Sequence, residues 1–367
     1  MHSIVIPDYI DSIHPYQGGR PIKEVARELG IPEESIIKLA SNENPLGISP
    51  KARKAIESNV SEISRYPDGN AYFLKQAIHK KFNISTNQII LGNGSNDILE
   101  LVARTFLTVN DEAIYSEHAF AVYSLAVQAV GAKGIEVKAI NYGHDLDQFI
   151  ESITKKTKVI FIANPNNPTG TLIDKIKLKS FMKKVPENII VVLDEAYDEY
   201  LPDILKSEAF NWTVQHENLL ISRSFSKAYG LAGLRLGYGA SSPYIIEVMN
   251  RIRQPFNVNS LAQIAAIASL DDDEFIRKSR EINNQGLKQI TDAFNQLGIE
   301  FIKSYGNFIA FKLKDEKTAI MYYQHLLKNG VIVRPIANYK MPSYLRVSVG
   351  LESENSKFIN ILSNCDL

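Results

Sequence analysis

Two short stretches, V-I-F-I-A (159 to 163) and N-I-I-V-V-L (188 to 193), decide the fold. Both are almost continuously apolar and rich in β-branched residues, without the alternation of a strand that has one solvated face. Strands of this kind are buried on both faces, which is typical of parallel sheets. Helical patterns such as 95–107 and 120–130 separate the strands, so the sequence predicts a doubly wound, mostly parallel α/β sheet. The other strands predicted for this sheet are 88–91, 112–116, 134–140, 218–222 and 234–240.

The last third of the chain has a different pattern. A long helical stretch near 258–297 is followed by strand-like pieces and a helix near 316–329. The strand-like pieces lie at 308–313, 330–335 and 344–350. This order predicts a smaller α+β domain, against which the turn-rich N-terminal segment is expected to pack. Since domains average ~150 residues, we expect a large domain over 36–250 and a small domain formed by 1–35 and 251–367.

Composition excludes several classes of protein. Lys and Arg total 41, Asp and Glu total 41, and 45% of the 367 residues are hydrophobic. A nucleic-acid binder neutralises phosphates with excess basic residues, so nucleic acid is not an expected partner. The single cysteine, Cys365, cannot form an internal disulfide, which favours a reducing compartment. No apolar run reaches the ~20 residues that span a bilayer, and the scattered histidines predict no metal site. We therefore expect a cytoplasmic enzyme with no membrane partner.

The first motif with chemical meaning is G-N-G-S-N-D (92 to 97). It follows a predicted strand and opens an amphipathic helix, where Ser95 and Asn96 can cap the first turn. Free amides at a helix N-terminus bind phosphate well. Asp97 occupies the third glycine position of a dinucleotide fingerprint, and no Gly-Lys-Ser/Thr of a Walker A loop follows. An ordinary capped turn is the alternative to a phosphate site.

The second motif, N-P-N-N-P-T-G (164 to 170), lies at the carboxyl end of a buried strand. Ligands bind at the carboxyl ends of strands in open α/β sheets. Two prolines stiffen the loop, Gly170 permits an unusual dihedral, and Asn167 can offer an amide donor to a ligand oxygen. A stiff turn without function is the alternative, but this composition is more specific than a turn requires.

The third motif, L-D-E-A-Y (193 to 197), also ends a strand. Asp194 follows an apolar run and is expected to be partly desolvated, so its carboxylate needs a cationic partner. A protonated ring nitrogen of a ligand is one candidate, and an internal Arg or Lys is the other. Tyr197 lies one short turn further and can face the same pocket.

The fourth motif, S-R-S-F-S-K (222 to 227), places Lys227 in a serine-rich loop after a strand. Desolvation there lowers the pKa of a lysine toward that of a nucleophilic amine, as Schiff-base chemistry requires. Ser224, Ser226 and Arg235 are suited to bind an anion nearby. A single lysine after a strand is usually only solvated, so this motif is weak alone.

Together the four motifs describe one ligand. A phosphate loop, an amide loop, an acidic strand end and a lysine loop all follow predicted strands, in this order along the chain. The ligand needs a phosphate, an aldehyde, a ring nitrogen and a ring oxygen. Pyridoxal 5′-phosphate (PLP) meets each requirement, and we expect it as the cofactor.

These motifs, with H-P-Y-Q-G-G-R-P (14 to 21), L-A-S-N-E-N-P-L-G (39 to 47) and L-R-V-S-V-G (345 to 350), resemble the fold-type I PLP-dependent aminotransferases over essentially the whole chain. More narrowly, the chain is similar to the histidinol-phosphate aminotransferases. The segment H-A-F-A-V-Y (118 to 123) departs from that family's usual P-T-F-S-M-Y but keeps both aromatic residues.

The resemblance implies roles for particular residues. Lys227, Asp194 and Tyr197 would be catalytic: Lys227 forms the Schiff base and moves protons, Asp194 keeps the ring nitrogen protonated, and Tyr197 and Asn167 bond the ring oxygen. Phe120 would stack on the ring. The residues implied to hold the phosphate are Ser95, Asn96, Ser224, Ser226 and Arg235, together with Tyr66 from the neighbouring subunit of a homodimer.

The substrate side is also implied by the resemblance. Arg346 would grip the carboxylate of the amino-acid partner, and Arg334, Tyr16 and Asn167 would line the substrate end. The implied reaction converts L-histidinol phosphate and 2-oxoglutarate to imidazole acetol phosphate and L-glutamate, in histidine biosynthesis. Alternatives are an aromatic amino-acid aminotransferase, a PLP-dependent phosphoamino-acid decarboxylase and a non-catalytic PLP-binding protein. A binding protein has no need of Lys227 and Asp194, which argues against the last alternative.

Overall fold

The structure of the chain, a computed structural model, describes residues 4–16 and 18–365. Its strands are β1 Ile37–Lys38, β2 Ile89–Gly92, β3 Glu112–Ser116, β4 Lys133–Val137, β5 Thr157–Ala163, β6 Ile190–Asp194, β7 Leu219–Ser224, β8 Gly237–Ala240, β9 Phe308–Lys312, β10 Val331–Ile332, β11 Arg334–Pro335 and β12 Tyr344–Ser348. Its α-helices are α1 Asp8–Asp11, α2 Ile22–Leu29, α3 Pro50–Glu57, α4 Tyr72–Phe82, α5 Ser95–Phe106, α6 Ala121–Ala129, α7 Leu146–Glu151, α8 Lys175–Lys184, α9 Pro243–Asn250, α10 Ser260–Leu270, α11 Asp273–Leu297, α12 Glu316–Lys328 and α13 Glu352–Ser363. In the described residues, no helix is both long and apolar enough to cross a membrane.

The central sheet has seven strands in the order β2-β8-β7-β6-β5-β3-β4. All neighbours are parallel except β8, which is antiparallel to both β2 and β7. Alternate residues of the middle strands pack into different layers: Phe161 lies in a core with α5, α6 and α9, whereas Ile160 and Ile162 lie in a core with α7 and α8. Burial on both faces explains the continuous apolar runs. The predicted doubly wound α/β fold is confirmed.

Strand register brings the four motifs to one edge of this sheet. The last residue of β6, Asp194, is paired with Ala163 on one side and with Ser222 on the other. Ser224 at the end of β7 is paired with Gly237, which is also paired with Gly92 at the end of β2. The loops that follow β2, β5, β6 and β7 therefore start side by side.

A second, three-stranded antiparallel sheet has the order β11-β12-β9. Its core includes Phe294 of α11 and Phe358 of α13. The single strand predicted over 330–335 is in fact two short strands. β10 pairs in parallel with β1 in a separate two-stranded sheet, and β11 pairs with β12. Pro335 lacks an N–H group and cannot extend the ladder.

Two further boundaries differ from prediction. The helical stretch near 258–297 is two helices, because the chain leaves the helix after Leu270 and Asp272 caps the next helix by accepting from the Phe275 N–H. The strand predicted from 234 begins only at Gly237, because Arg235 has a φ of 57°, which is incompatible with an extended strand.

The division at residues 36 and 250 stays a prediction. The segment before β1 packs as expected against C-terminal residues, with Val25 in one cluster with Ile332. However, α1 contacts α6, and α10 packs against α3 and α4 beside the central sheet.

Candidate active site

A cavity of about 390 Å³ lies at the edge of the central sheet where the four motif loops begin. Of the residues predicted for the site, those lining this cavity are Tyr16, Ser95, Asn96, Phe120, Asn167, Asp194, Tyr197, Ser224, Ser226, Lys227, Arg235, Arg334 and Arg346. Tyr66 is the exception. Its side chain is 84% exposed and stacks on Phe256, with 4.9 Å between ring centroids, outside the cavity.

Asp194 lines the cavity, and its two carboxylate oxygens have different surroundings. Its Oδ2 accepts a hydrogen bond from the Tyr123 hydroxyl at 2.9 Å, whereas its Oδ1 is buried without a hydrogen-bond partner. Burial raises the pKa of Asp194 to about 6, against the opposing effects of the Tyr123 and Ala196 hydrogen bonds and the Lys227 charge. A buried carboxylate with one free oxygen fits a cationic ring nitrogen.

The arginine of the neighbouring motif does not serve Asp194. Arg223 projects from β7 into a buried cluster on the other side of the chain. Its Nη2 lies 2.6 Å from Glu195, and its Nη1 lies 2.8 Å from Asp198 and 3.4 Å from Glu199. The cluster joins the residue after Asp194 to the residue before Ser224, so it braces two strand ends of the site.

Lys227 lies across the cavity in a half-buried position. Its Nζ donates to the Ser41 carbonyl oxygen at 3.0 Å and lies 5.9 Å from the centroid of the Tyr197 ring. Burial, followed by the positive charge of Arg346, lowers the pKa of Lys227 to about 8. Near neutral pH such an amine is neutral in a much larger fraction of molecules than an ordinary lysine, so a nucleophilic form is available.

The N-terminus of α5 forms one wall of an anion cradle. Gly94, with a φ of 88°, leads into the helix, and a Cβ added there would lie 2.5 Å from Nη2 of Arg235. Nη1 of Arg235 lies 3.4 Å from the hydroxyl of Ser226, on the other wall. The acidic side chain of Asp97 is occupied elsewhere, because it accepts from the Asn93 N–H and the Asn257 amide. Free helix amides, hydroxyls and a guanidinium fit a phosphate.

The two substrate-side arginines project from neighbouring strands. Arg334 in β11 and Arg346 in β12 are directly paired, so their side chains leave the same face of the small sheet. Arg346 donates to Oδ1 of Asn167 and to the Ala40 carbonyl oxygen, which leaves Nδ2 of Asn167 as its amide donor. Arg334 lies over the Tyr16 ring at 5.6 Å.

Sequence reasoning missed two residues of the site. Tyr123, which holds Asp194, lies one helical turn after Phe120 on α6, and this spacing was an available signal. Asn42 donates from its side-chain amide to the Tyr197 hydroxyl at 3.0 Å. Its motif carried part of the family resemblance, but nothing in the local pattern assigned it a partner.

The cavity can hold a phosphate-bearing aldehyde with a basic ring nitrogen. The cradle at α5 and Arg235 could hold the phosphate, Asp194 could pair with the ring N–H, and Lys227 could offer its amine to the aldehyde. Arg334 and Arg346 line the same cavity, where guanidinium groups suit the oxyanions of a second molecule. The residues therefore fit the predicted cofactor and an anionic substrate.

Comparison with known proteins gives a consistent result. The family model "Aminotransferase class I and II" matches residues 34–361. Histidinol-phosphate aminotransferase of Methylobacillus flagellatus is 57% identical over 97% of this chain and 96% of its own, and histidinol-phosphate aminotransferase 2 of Nitrosospira multiformis is 53% identical over 97% and 91%. The structure of histidinol-phosphate aminotransferase from Sinorhizobium meliloti, solved with pyridoxal 5′-phosphate, matches with a TM-score of 0.90 at 25% identity, over 98% of this chain and 96% of that one.

Proposed function

Because this chain belongs to the class I and II aminotransferases, we propose that it transfers the amino group of L-histidinol phosphate to 2-oxoglutarate, with imidazole acetol phosphate and L-glutamate as products. Pyridoxal 5′-phosphate is the cofactor, and the reaction belongs to histidine biosynthesis. The names of the similar enzymes support the substrate. The observation that carries the proposal is the pairing of Arg334 and Arg346 on one face, in the cavity that holds Lys227.

Each part of the cavity has a task in this reaction. Bound PLP supplies an electron sink for the electron pair released at the substrate Cα. Lys227 would be the amine that holds the cofactor aldehyde between turnovers, and the same amine would move the proton from the substrate Cα. Asp194 would keep the ring nitrogen protonated. Asn167 and Tyr197 would donate to the ring oxygen, and Phe120 would pack against the ring.

The two arginines suit two unlike substrates. Glutamate brings an α-carboxylate, whereas histidinol phosphate has none and brings a dianionic phosphate. A planar guanidinium takes either oxyanion with two hydrogen bonds, which a lysine does poorly. An aromatic aminotransferase needs only one arginine for the α-carboxylate. The second buried arginine therefore favours the phosphate-bearing substrate.

Arg334→Ala is expected to change substrate preference. It should lower kcat/KM for histidinol phosphate by about 2–5 kcal/mol of transition-state stabilisation, the range for losing one partner of a buried charge pair, and change that for phenylalanine much less. Arg346→Lys is the matched comparison and should damage both half-reactions. The measurement is kcat/KM for both amino donors with each variant. A wild type that prefers phenylalanine, or equal losses in Arg334→Ala, would favour the aromatic alternative.

We also propose a homodimer whose active site is completed by Tyr66 of the second subunit. Several aromatic side chains in this part of the chain are exposed: Tyr66 stacks on Phe256, which is 47% exposed, and Tyr72, 59% exposed, lies edge-on to Phe73, 74% exposed. Large exposed apolar side chains that pack on one another favour an interface. Closed two-fold dimers are the commonest oligomers, and their symmetry makes any contribution of one subunit to the other's site reciprocal.

Mixed dimers are expected to regain activity. A Lys227→Ala chain paired with a Tyr66→Phe chain has one site with both groups intact. Random pairing makes about half of the dimers mixed, so a co-expressed pair should reach about a quarter of wild-type activity. Separately tagged chains, purified through both tags, isolate the mixed dimer for the assay. Activity no higher than the mean of the two parent variants would contradict a shared site.

We further propose the two-domain division at residues 36 and 250, which is supported by the separate cores of the central sheet and of the three-stranded sheet.

We propose the cytoplasm as the location, supported by the single, buried Cys365 and by the class of biosynthetic enzyme to which the relatives belong.

A further inference from the structure

Asn42 occupies an unusual backbone position beside the cofactor cavity. It lies between β1 and α3 with a φ of 54°, in the left-handed region that Asn and Asp tolerate better than other non-glycine residues. Its side chain is almost fully buried and lines the cavity. The carbonyl oxygen of Asn42 accepts from the side-chain amide of Asn307 at 3.0 Å, so the backbone is fixed as well.

The hydrogen bonds of the Asn42 side chain fix which of its two amide atoms faces Tyr197. The Ser348 hydroxyl donates to Oδ1 of Asn42 at 2.9 Å, and Oγ of Ser348 accepts from the Asn42 backbone N–H at 2.8 Å. With Oδ1 used in this way, Nδ2 points the other way and donates to the Tyr197 hydroxyl oxygen at 3.0 Å. An amide nitrogen accepts no hydrogen bond, so Tyr197 cannot return its own proton to Asn42.

These hydrogen bonds determine which acceptor the Tyr197 hydroxyl proton can reach. Burial raises the pKa of Tyr197 to about 12, so the hydroxyl keeps its proton at neutral pH. Because one lone pair already accepts from Asn42, the hydroxyl proton is left to donate to an acceptor in the cavity. In the same cavity, Asn167 is left with Nδ2 as its donor, because Arg346 donates to its Oδ1.

We propose that Asn42 is a positioning residue which, oriented by Ser348, turns the Tyr197 hydroxyl into a fixed donor toward the ring oxygen of the bound cofactor. This role rests on the cofactor of the proposed function and is independent of which amino donor the enzyme takes. It links β12 of the small sheet to the ring-oxygen site through three side chains.

Two substitutions that tolerate the left-handed backbone separate this role from simple packing. In Asn42→Asp the carboxylate has the same shape but accepts the Tyr197 proton, which reverses the hydrogen bond and removes the donor from the cavity. In Asn42→Gly the side chain is lost, yet Tyr197 remains free to donate inward. A positioning role therefore predicts more damage in Asn42→Asp than in Asn42→Gly, whereas a packing role predicts the opposite order.

The readouts are PLP affinity and the pH midpoint of the visible absorbance band of the purified holoenzyme. Asn42→Asp should weaken PLP binding to the cofactor-free protein about 10- to 100-fold, the range for losing a hydrogen bond to a charged group. The midpoint should rise by about one pH unit, because the ring oxygen holds a shared proton more tightly without its donor. Asn42→Gly should weaken PLP binding less than Asn42→Asp does, by a factor of about ten, and its shift of the pH midpoint should be about ten times smaller.

The same substitutions in a Tyr197→Phe background test whether Asn42 acts through Tyr197. The Asn42→Asp effect should disappear there, because no hydroxyl remains to be reversed. If the effect persists, Asp acts by its charge and the proposal is wrong; it is also wrong if Asn42→Gly is the more damaging variant. If Asn42→Asp does not fold, Ser348→Ala, which frees the amide to rotate, is compared in the same two backgrounds with the same criterion. A wild type without a visible band would instead overturn the proposed cofactor chemistry.

Discussion

Lys227→Ala is expected to lose turnover almost completely while the chain stays folded. The substitution removes the only amine that lies in the cavity among the described residues, and with it both the covalent attachment of PLP and the group that moves the substrate proton. General acid–base catalysis alone contributes about 10²- to 10⁴-fold, so the combined loss should be at least about 10⁴-fold in kcat. Borohydride reduction of the wild type followed by peptide mapping should place the pyridoxyl group on Lys227.

Lys75 is the matched control for this experiment. Its pKa is also lowered, by burial and then by the charge of Arg253, but it lies half-buried in α4 rather than in the cavity. If a lowered pKa alone decided which lysine reacts, Lys75 would also be labelled. Lys75→Ala should therefore leave the label on Lys227. A label on Lys75, or high residual activity in Lys227→Ala, would show that the nucleophile has been assigned wrongly.

The sheet could be predicted from the sequence because a strand that is buried on both faces is apolar along nearly its whole length. V-I-F-I-A (159 to 163) and N-I-I-V-V-L (188 to 193) are of this kind, and they agree with the strands Thr157–Ala163 and Ile190–Asp194 to within two residues at each end. Motifs at the ends of parallel strands need no knowledge of strand order to be placed together, since all such ends lie at one edge. This is why residues as distant in sequence as Ser95 and Lys227 could be expected in one cavity.

Contacts between distant segments could not be predicted in this way. Asn42 depends on Ser348, 306 positions away, and on Asn307, 265 positions away, and nothing in its own segment indicates either partner. The division of the predicted strand 330–335 into β10 and β11, on either side of Val333, could not be predicted for the same reason. It depends on β1, a distant segment that pairs with β10. Short strands of two residues carry too little periodicity to be distinguished from one longer strand.

Asp194→Asn is expected to lower kcat by about 30- to 5,000-fold with PLP still bound. Asparagine has nearly the same shape but carries no charge, so the ring nitrogen loses the partner that keeps it protonated. Losing one partner of a buried charge pair costs about 2–5 kcal/mol, which corresponds to that range of rate. The check is steady-state turnover together with the visible spectrum of the reconstituted variant. Near-normal turnover would show that Asp194 does not serve the ring nitrogen.

The same substitution should have the opposite effect on the stability of the cofactor-free protein. Burial raises the pKa of the folded Asp194 carboxyl to about 6, whereas the unfolded chain releases this proton near pH 4. Between these values the folded state binds more protons, so the free energy of unfolding of the wild type falls as the pH rises, by up to about 3 kcal/mol above pH 6. An asparagine side chain has no proton to release, so the variant lacks this decline.

Cofactor-free Asp194→Asn should therefore match the wild type below about pH 4 and gain about 1–3 kcal/mol over it between pH 6 and 8, as measured by thermal or denaturant unfolding across that range. With PLP bound the order should reverse, because only the wild type forms the charge pair with the ring nitrogen. A gain in stability without cofactor and a loss of rate with it cannot both come from misfolding. The pair of measurements thus distinguishes two cases. In the first, the Asp194 carboxylate destabilises the cofactor-free protein and is useful only for binding the ligand; in the second, it stabilises the fold. A cofactor-free variant that is less stable than the wild type at pH 8 would show that the Asp194 carboxylate stabilises the fold.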